Sequence, residues 1–244
     1  MQPIKTIASK YNDVTIWKTP DGFNFEVAGG THATWSRSRV LTGYIWDALT
    51  AAILLHPGSA RKRILVLGFG GGTVVRQLLH FLPDAKITAL EIDPMMIDLA
   101  RTYMDTDSLR AHILLGDGYA YAAKSPPIFD VVLDDIFTGL QTGVSRPVAL
   151  HTEAIQKTIT CLKPNGLFVA NMITGTSTHA AVQESKRAFR NIFKSTHQVR
   201  PAKGFNLGLI GGNLKPPALL TDYTSRLHDA ADRRDWQNIS VRAF

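Results

Sequence analysis

The stretch from Arg63 to Asp93, RILVLGFGGGTVVRQLLHFLPDAKITALEID, limits most tightly what this chain can fold into. An apolar strand, Ile64 to Leu67, runs into a cluster of glycines. A helix follows, and a second strand, Ile87 to Leu90, ends on the acidic Glu91. Strand, glycine turn, helix, strand and acid form the layout of a nucleotide-binding βαβ unit. Gly68, Gly70, Gly71 and Gly72 let the backbone approach a ligand where a Cβ would clash, and the helix N-terminus presents unpaired N–H groups. Glu91 is placed to hold a ribose diol.

The rest of the chain is punctuated in keeping with this unit. From Asp13 to Ser36, apolar and polar residues alternate around Thr19-Pro20-Asp21-Gly22 and Gly29-Gly30, which predicts two or three short antiparallel strands. A helical pattern then runs from Ser38 through Val40, Tyr44, Ala48 and Ile53 and stops before Pro57-Gly58. Beyond it, strands at 64–67, 86–91, 111–115, 129–134 and 166–171 alternate with helices at 72–82, 94–104, from 118, and at 151–162. This alternation predicts an α/β, Rossmann-like, doubly wound and mostly parallel sheet. After a helix over 178–194, segments 196–200 and 205–210 predict an antiparallel hairpin that closes one edge, seven strands in all. The expected organisation is a β-hairpin appendage with a connecting helix (1–58), a nucleotide-binding domain (59–220) and a C-terminal helix and tail (221–244).

Composition narrows the function classes. With 45% hydrophobic and 19% charged residues among 244, the chain can bury a full core. Its first residues lack the apolar core of a secretory signal. The apolar run Ala48 to Leu55 is interrupted by Thr50 and too short to span a bilayer, so a cytoplasmic protein without membrane association is expected. The single Cys161 rules out an internal disulfide, and its place on a predicted helix makes it a packing residue. The formal charge of +7 comes from scattered groups, Arg61-Lys62-Arg63, Lys186-Arg187-Arg190 and Arg233-Arg234, without interleaved aromatics. A solvated basic surface or attraction of a small anion fits this better than nucleic-acid binding. The eight histidines show no metal-ligand spacing, so no metal is expected.

The glycine loop discriminates between nucleotides. A dinucleotide fold wants a third glycine for close helix–strand packing, and that position is Thr73. The run G-F-G-G-G is nearer the G-x-G-x-G loop of S-adenosylmethionine (SAM) enzymes. Acids recur at the ends of the following strands: Glu91, Asp117 in Gly116-Asp117-Gly118, and Asp134-Asp135. In an open parallel sheet these strand ends converge on one crevice. Candidate cofactor-binding residues are therefore Gly68, Phe69, Gly70, Gly72, Glu91, Ile92, Asp117, Gly118 and Asp134. Asp117 would accept from the adenine amine while the Gly118 N–H faces a ring nitrogen, and Asp117 is also a natural N-cap for the short helix after it. Asp134 would bind the ligand's ammonium group or orient an incoming amine. Asp135 is a candidate for the same chemistry or for a solvated loop.

The run VLGFGGGTVVRQLL, ALEIDPMMIDLAR, LLGDGYAY, FDVVLDDIF and LKPNGLFVAN resembles the spermidine synthase (polyamine aminopropyltransferase) superfamily, closest to its divergent, methyltransferase-like members. The resemblance extends from about Ser9 to Asn213. Val66, apolar where many SAM methyltransferases carry an acid, agrees with it. The resemblance implies SAM as co-substrate, a homodimer, and an acceptor pocket covered in the region of Tyr44 and Trp46. Both aromatics also fit ordinary packing on an amphipathic helix.

Two departures from the family matter. The family loop reads G-G-G-D-G-G, and the acid's place is Gly71. The family's fourth strand ends in D-[ST]-[ST]-D-P, and the place of its second acid is Phe137, followed by Thr138. Both changes remove negative charge from the acceptor side, which disfavours a doubly charged diamine and the decarboxylated donor. Three readings stay open. The first is methyl transfer to a small-molecule acceptor with Asp134, Asp135 and Tyr44 as candidate catalytic residues. The second is attack at the SAM Cγ carbon releasing methylthioadenosine, by SAM alone or by an amine. The third is a non-catalytic SAM-fold binding protein.

Overall fold

The computed structural model describes residues 1–58, 62–140 and 143–244. Arg61 of the first basic group, and the boundary expected between residues 58 and 59, lie at or outside the edge of the described residues. The N-terminal segment forms four strands, β1 (Gln2–Ala8), β2 (Asp13–Lys18), β3 (Gly22–Val27) and β4 (Gly30–Ser36), paired antiparallel in sequence order. The expectation of two or three strands missed β1, which is exposed along nearly its whole length and so lacks the alternation of a half-buried strand.

Helix α1 (Ile45–Leu54) starts seven residues later than the apolar pattern from Ser38 predicted. The reason is local. The Asp47 carboxylate accepts from the Thr42 and Gly43 N–H groups and the Thr42 hydroxyl, so residues 42 and 43 fold back as a turn rather than a helical coil.

The following alternation is β5 (Arg63–Leu67), α2 (Thr73–Phe81), β6 (Lys86–Glu91), α3 (Pro94–Tyr103), β7 (Ala111–Leu115), α4 (Gly118–Lys124) and β8 (Phe129–Asp134). A small hairpin, β9 (Thr138–Leu140) and β10 (Gly143–Ser145), comes next, and the sequence reading did not foresee it. Then follow α5 (Thr152–Thr158), β11 (Leu162–Ile173), α6 (His179–Ile192), β12 (Thr196–Arg200), β13 (Asn206–Gly211), α7 (Ala230–Gln237) and β14 (Ser240–Ala243). The expected helix 151–162 stops at Thr158 and passes through a single 3-10 turn, where Cys161 is buried.

Among the described residues the main sheet has eight strands rather than seven, in the order β14-β12-β13-β11-β8-β5-β6-β7. Strands β11, β8, β5, β6 and β7 are parallel neighbours. The hairpin β12–β13 does not close the edge. β13 pairs with β11, and the C-terminal residues, read from sequence as a tail, add β14 antiparallel to β12. Four residues with two in-between side chains carry too little periodicity to be recognised as a strand before their partner is known.

Successive side chains of β5 go to opposite faces. Ile64 and Val66 join α1, α2 and Trp236 on one side, and Leu65 and Leu67 join Phe129, Phe168 and Phe189 on the other. Burial on both faces explains why these strands read as unbroken apolar runs. The N-terminal sheet buries its own apolar face, Val14, Ile16, Phe25, Val27 and Ala33, against Met96 and Leu99 of α3 and the following Met104. It is thereby held over the C-terminal ends of the parallel strands. All ten residues of α1 are buried. Among the described residues no helix is long and apolar enough to cross a membrane.

Candidate active site

Outside the C-terminal ends of β5, β6, β8 and β11 lies a cavity of about 720 Å³, inside the range of small-molecule sites. The loop 68–70, the β3–β4 turn with the start of β4 (28–32), the start of α1, the segment 135–138 and residues 204–206 all contribute to its wall.

At one end, the candidate cofactor-binding residues Gly68, Phe69, Gly70, Glu91, Ile92, Asp117 and Gly118 all line the cavity. The Glu91 carboxylate accepts from the Gly70 N–H at 2.8 Å and the Asp93 N–H at 3.0 Å. Burial pushes its titration upward against these two stabilising bonds. Each oxygen keeps a lone pair for a further donor. Asp117 caps α4 by accepting from the Tyr119 and Ala120 N–H groups, both on Oδ1. Its capping role is therefore real, and Oδ2 remains available to the cavity.

Two loop glycines differ from expectation. Gly72 does not line the cavity. It takes the left-handed conformation (φ 77°) as N-cap of α2, with the ring of Phe69 packed where its Cβ would be. Gly71 does not line the cavity either. A Cβ there would lie 2.4 Å from the Cβ of Ala33 on β4, so packing of the N-terminal sheet onto the loop requires a glycine. The residue at position 71 carries no information about charge in the pocket. The inference from Gly71 to a preferred donor falls with it. Thr73, which replaced the third glycine of a dinucleotide loop, bonds to both the N–H and the carbonyl of Thr34, tying α2 to β4.

Asp134 also departs from its expected place. It is 0% exposed and absent from the cavity wall. Its Oδ1 accepts from Arg146 Nη1 at 2.7 Å, and the Tyr119 hydroxyl donates to its Oδ2 at 3.1 Å. Arg146 is fixed further by the Asn171 carbonyl and lies 4.8 Å from the centre of the Phe137 ring. Burial opposes its charge, but Asp134 and Tyr119 more than offset this, holding the guanidinium above its ordinary value. Burial and the neighbouring Asp134 also push the Tyr119 phenol up. The ion pair has consumed the carboxylate expected to meet an amine.

Asp135 lines the cavity instead. Trp46 Nε1 donates to its Oδ2 at 3.2 Å and Asn171 Nδ2 to its Oδ1 at 2.7 Å, while Asn206 Nδ2 donates to Asn171 Oδ1 at 3.0 Å. Desolvation nevertheless dominates and raises the Asp135 carboxyl to about 6. A carboxylate oriented by two donors and titrating near neutrality is suited to proton transfer. Tyr44 lines the cavity and is 40% exposed, so it sits at the mouth rather than at the floor.

The sequence reading missed Arg146, Asn171, Asn206 and His32. Arg146 follows a hairpin without a sequence signal, and Asn171 and Asn206 are single polar residues within segments read as strands. His32, on the β3–β4 turn side of the wall, is pushed down to about 4 by burial and is neutral at physiological pH. Among the described residues, no lysine or arginine lines the cavity, and no group of three or more His, Cys, Asp or Glu is arranged to hold a metal.

Known proteins resemble this chain on both sides of the expected divide. A polyamine aminopropyltransferase from Caldicellulosiruptor saccharolyticus is 26% identical over 212 residues, covering 85% of this chain and 71% of the relative. An eEF1A lysine and N-terminal methyltransferase homolog from Drosophila melanogaster is 35% identical over 131 residues, 50% of this chain but only 20% of the relative. The crystal structure of spermidine synthase from Thermotoga maritima superimposes with a TM-score of 0.68 at 21% identity, covering 88% of this chain and 74% of that one. The relatives are thus group transferases that move either an aminopropyl or a methyl group. With residues 49–201 matching the spermine/spermidine synthase domain model, this chain belongs to that family.

Proposed function

We propose that the protein is a SAM-dependent transferase that methylates a small-molecule acceptor. The observation that carries this reading is the Arg146–Asp134 ion pair. With Asp134 satisfied inside the protein and Phe137 apolar, Asp135 is the one carboxylate on the acceptor side of the cavity among the described residues. A diamine carries two positive charges, and burying the second without a partner would cost several kcal/mol.

In this reading Glu91 holds the ribose hydroxyls and Asp117 Oδ2 accepts from the adenine amine, with Phe69 and Ile92 against the base. The acceptor is held in line with the sulfonium methyl, and proximity in a water-poor cavity supplies most of the acceleration. The new bond forms as the methyl–sulfur bond breaks, with the electron pair passing to sulfur. Asp135 takes the proton that the acceptor releases.

A second reading has its own support. No lysine or arginine among the described residues lines the cavity to meet a methionine carboxylate, which suits a decarboxylated donor and attack at the carbon that yields methylthioadenosine. Mass spectrometry of the nucleoside formed from SAM, and separately from decarboxylated SAM, distinguishes the two. S-adenosylhomocysteine is the expected product. Methylthioadenosine would replace methyl transfer with the second reading, and neither product despite SAM binding would refute both.

A further inference from the structure

The acceptor half of the cavity is built for an apolar body with a single charge. Its wall includes Trp46, Phe137, Val144, Val148, Ile173 and Phe205, and among the described residues the lone acid on that side is Asp135. The cavity's other two acids, Glu91 and Asp117, belong to the nucleotide end, where Glu91 bonds the Gly70 N–H and Asp117 caps α4.

The rim repeats this chemistry. Phe205 is 80% exposed, yet its backbone is held firmly. Its carbonyl accepts from the Thr174 N–H at 2.9 Å and from the Thr174 hydroxyl, and two residues earlier the Lys203 N–H donates to the Gly43 carbonyl at 2.8 Å. The Tyr44 ring packs against the same turn, 3.3 Å from where a Cβ on Gly204 would lie. Two aromatic side chains thus stand at the cavity mouth, Phe205 on a held backbone and Tyr44 against the same turn, with apolar surface facing solvent, an arrangement that marks a binding surface rather than a core.

We infer that the acceptor is a monoamine carried on an aromatic or alkyl body, its nitrogen paired with Asp135 and its apolar part gripped by Phe205 and Tyr44. The inference rests on the group-transfer reading above but not on which carbon is transferred. The ammonium gives its first proton to solvent before reaction, which leaves Asp135 ionised. The nitrogen lone pair then forms the new N–C bond, the C–S bond breaks with its pair going to sulfur, and the proton released from nitrogen passes to the Asp135 carboxylate. Phe205 and Tyr44 determine specificity by covering the body of the acceptor and excluding water from the path to Asp135.

The test incubates the full chain with SAM or decarboxylated SAM and, in separate reactions, 2-phenylethylamine, n-hexylamine, 1,4-diaminobutane or a lysine-containing peptide, and identifies both the alkylated product and the nucleoside. Turnover of the two monoamines, with the diamine at least tenfold poorer in kcat/KM, is expected. Phe205→Ala should raise the KM for 2-phenylethylamine about tenfold while leaving the Kd of SAM unchanged, and Phe205→Leu should restore most of the loss. A preference for the diamine, turnover confined to lysine side chains of a peptide, or an unchanged KM in Phe205→Ala would overturn the inference. If the monoamines are inert while a different acceptor yields S-adenosylhomocysteine, the acceptor class is wrong and the transfer reading stands. If neither SAM nor decarboxylated SAM yields a nucleoside product with any acceptor, the transfer reading itself fails and this inference with it.

Discussion

Asp135 offers a test in which stability and activity should move in opposite directions. Its carboxyl titrates at about 6 in the folded protein instead of near 3.8, because desolvation outweighs the bonds from Asn171 and Trp46. The folded state therefore binds a proton more tightly than the unfolded chain. This favours folding at low pH and is lost as pH rises through the interval from about 4 to about 6. Above it, the ionised carboxylate costs roughly 3 kcal/mol of folding free energy, at about 1.4 kcal/mol for each tenfold change in proton affinity. Asp135→Asn removes this titration while keeping the shape. One of the two facing donors is then opposed by an amide N–H, which costs about 1–3 kcal/mol at every pH. The stability of Asp135→Asn relative to the unsubstituted protein should thus increase by about 2 kcal/mol between pH 4 and pH 8. Urea denaturation of both proteins across that range measures it. At the same time the variant should lose roughly 10²–10⁴ in turnover and the rise in kcat/KM through pH 6 that a deprotonated base imposes. A stability difference independent of pH would show that Asp135 is not desolvated, and retention of the activity rise through pH 6 would assign the proton acceptor to another group.

Three further outcomes follow from the geometry. Glu91→Ala should weaken SAM binding by about 1–3 kcal/mol in isothermal calorimetry, because a buried ligand hydroxyl pair loses its acceptor, and unchanged affinity in a folded variant would remove Glu91 from the ribose site. Gly71→Asp restores the family's acid but drives its Cβ into Ala33, so the melting temperature should fall, by an amount corresponding to about 1–3 kcal/mol of overpacking, without any gain of diamine turnover. Arg146→Met leaves the Asp134 carboxylate buried without its counter-charge, and denaturation should register a loss of about 3–5 kcal/mol, whereas Arg146→Met with Asp134→Asn should recover a substantial part of it.

Much of the fold and half of the site could be read from the chain. The glycine loop, Glu91 and Asp117 were legible because each is fixed by its neighbours in sequence: a strand end, a turn and a helix N-terminus that together define one position in space. The parallel sheet was legible for the same reason, since unbroken apolar strands alternating with helices admit few topologies. Edges and irregular starts were not. β14 needs β12 beside it before its four residues mean anything, and α1 begins where Asp47 turns the chain.

The sequence by itself determined that acids gather at the ends of parallel strands around a glycine loop, because local periodicity and turn chemistry are sufficient to place backbone. Only the tertiary structure decided which of two adjacent carboxylates is available. Asp134 and Asp135 are consecutive, so their side chains leave the strand end in different directions. One meets Arg146, twelve residues on across a hairpin, and the other meets Trp46 and Asn171 from distant elements. The same holds for Gly71, whose meaning lies in its contact with Ala33 of a separate sheet. Charge and freedom at a site depend on partners brought together by packing, and those partners are not neighbours in the chain.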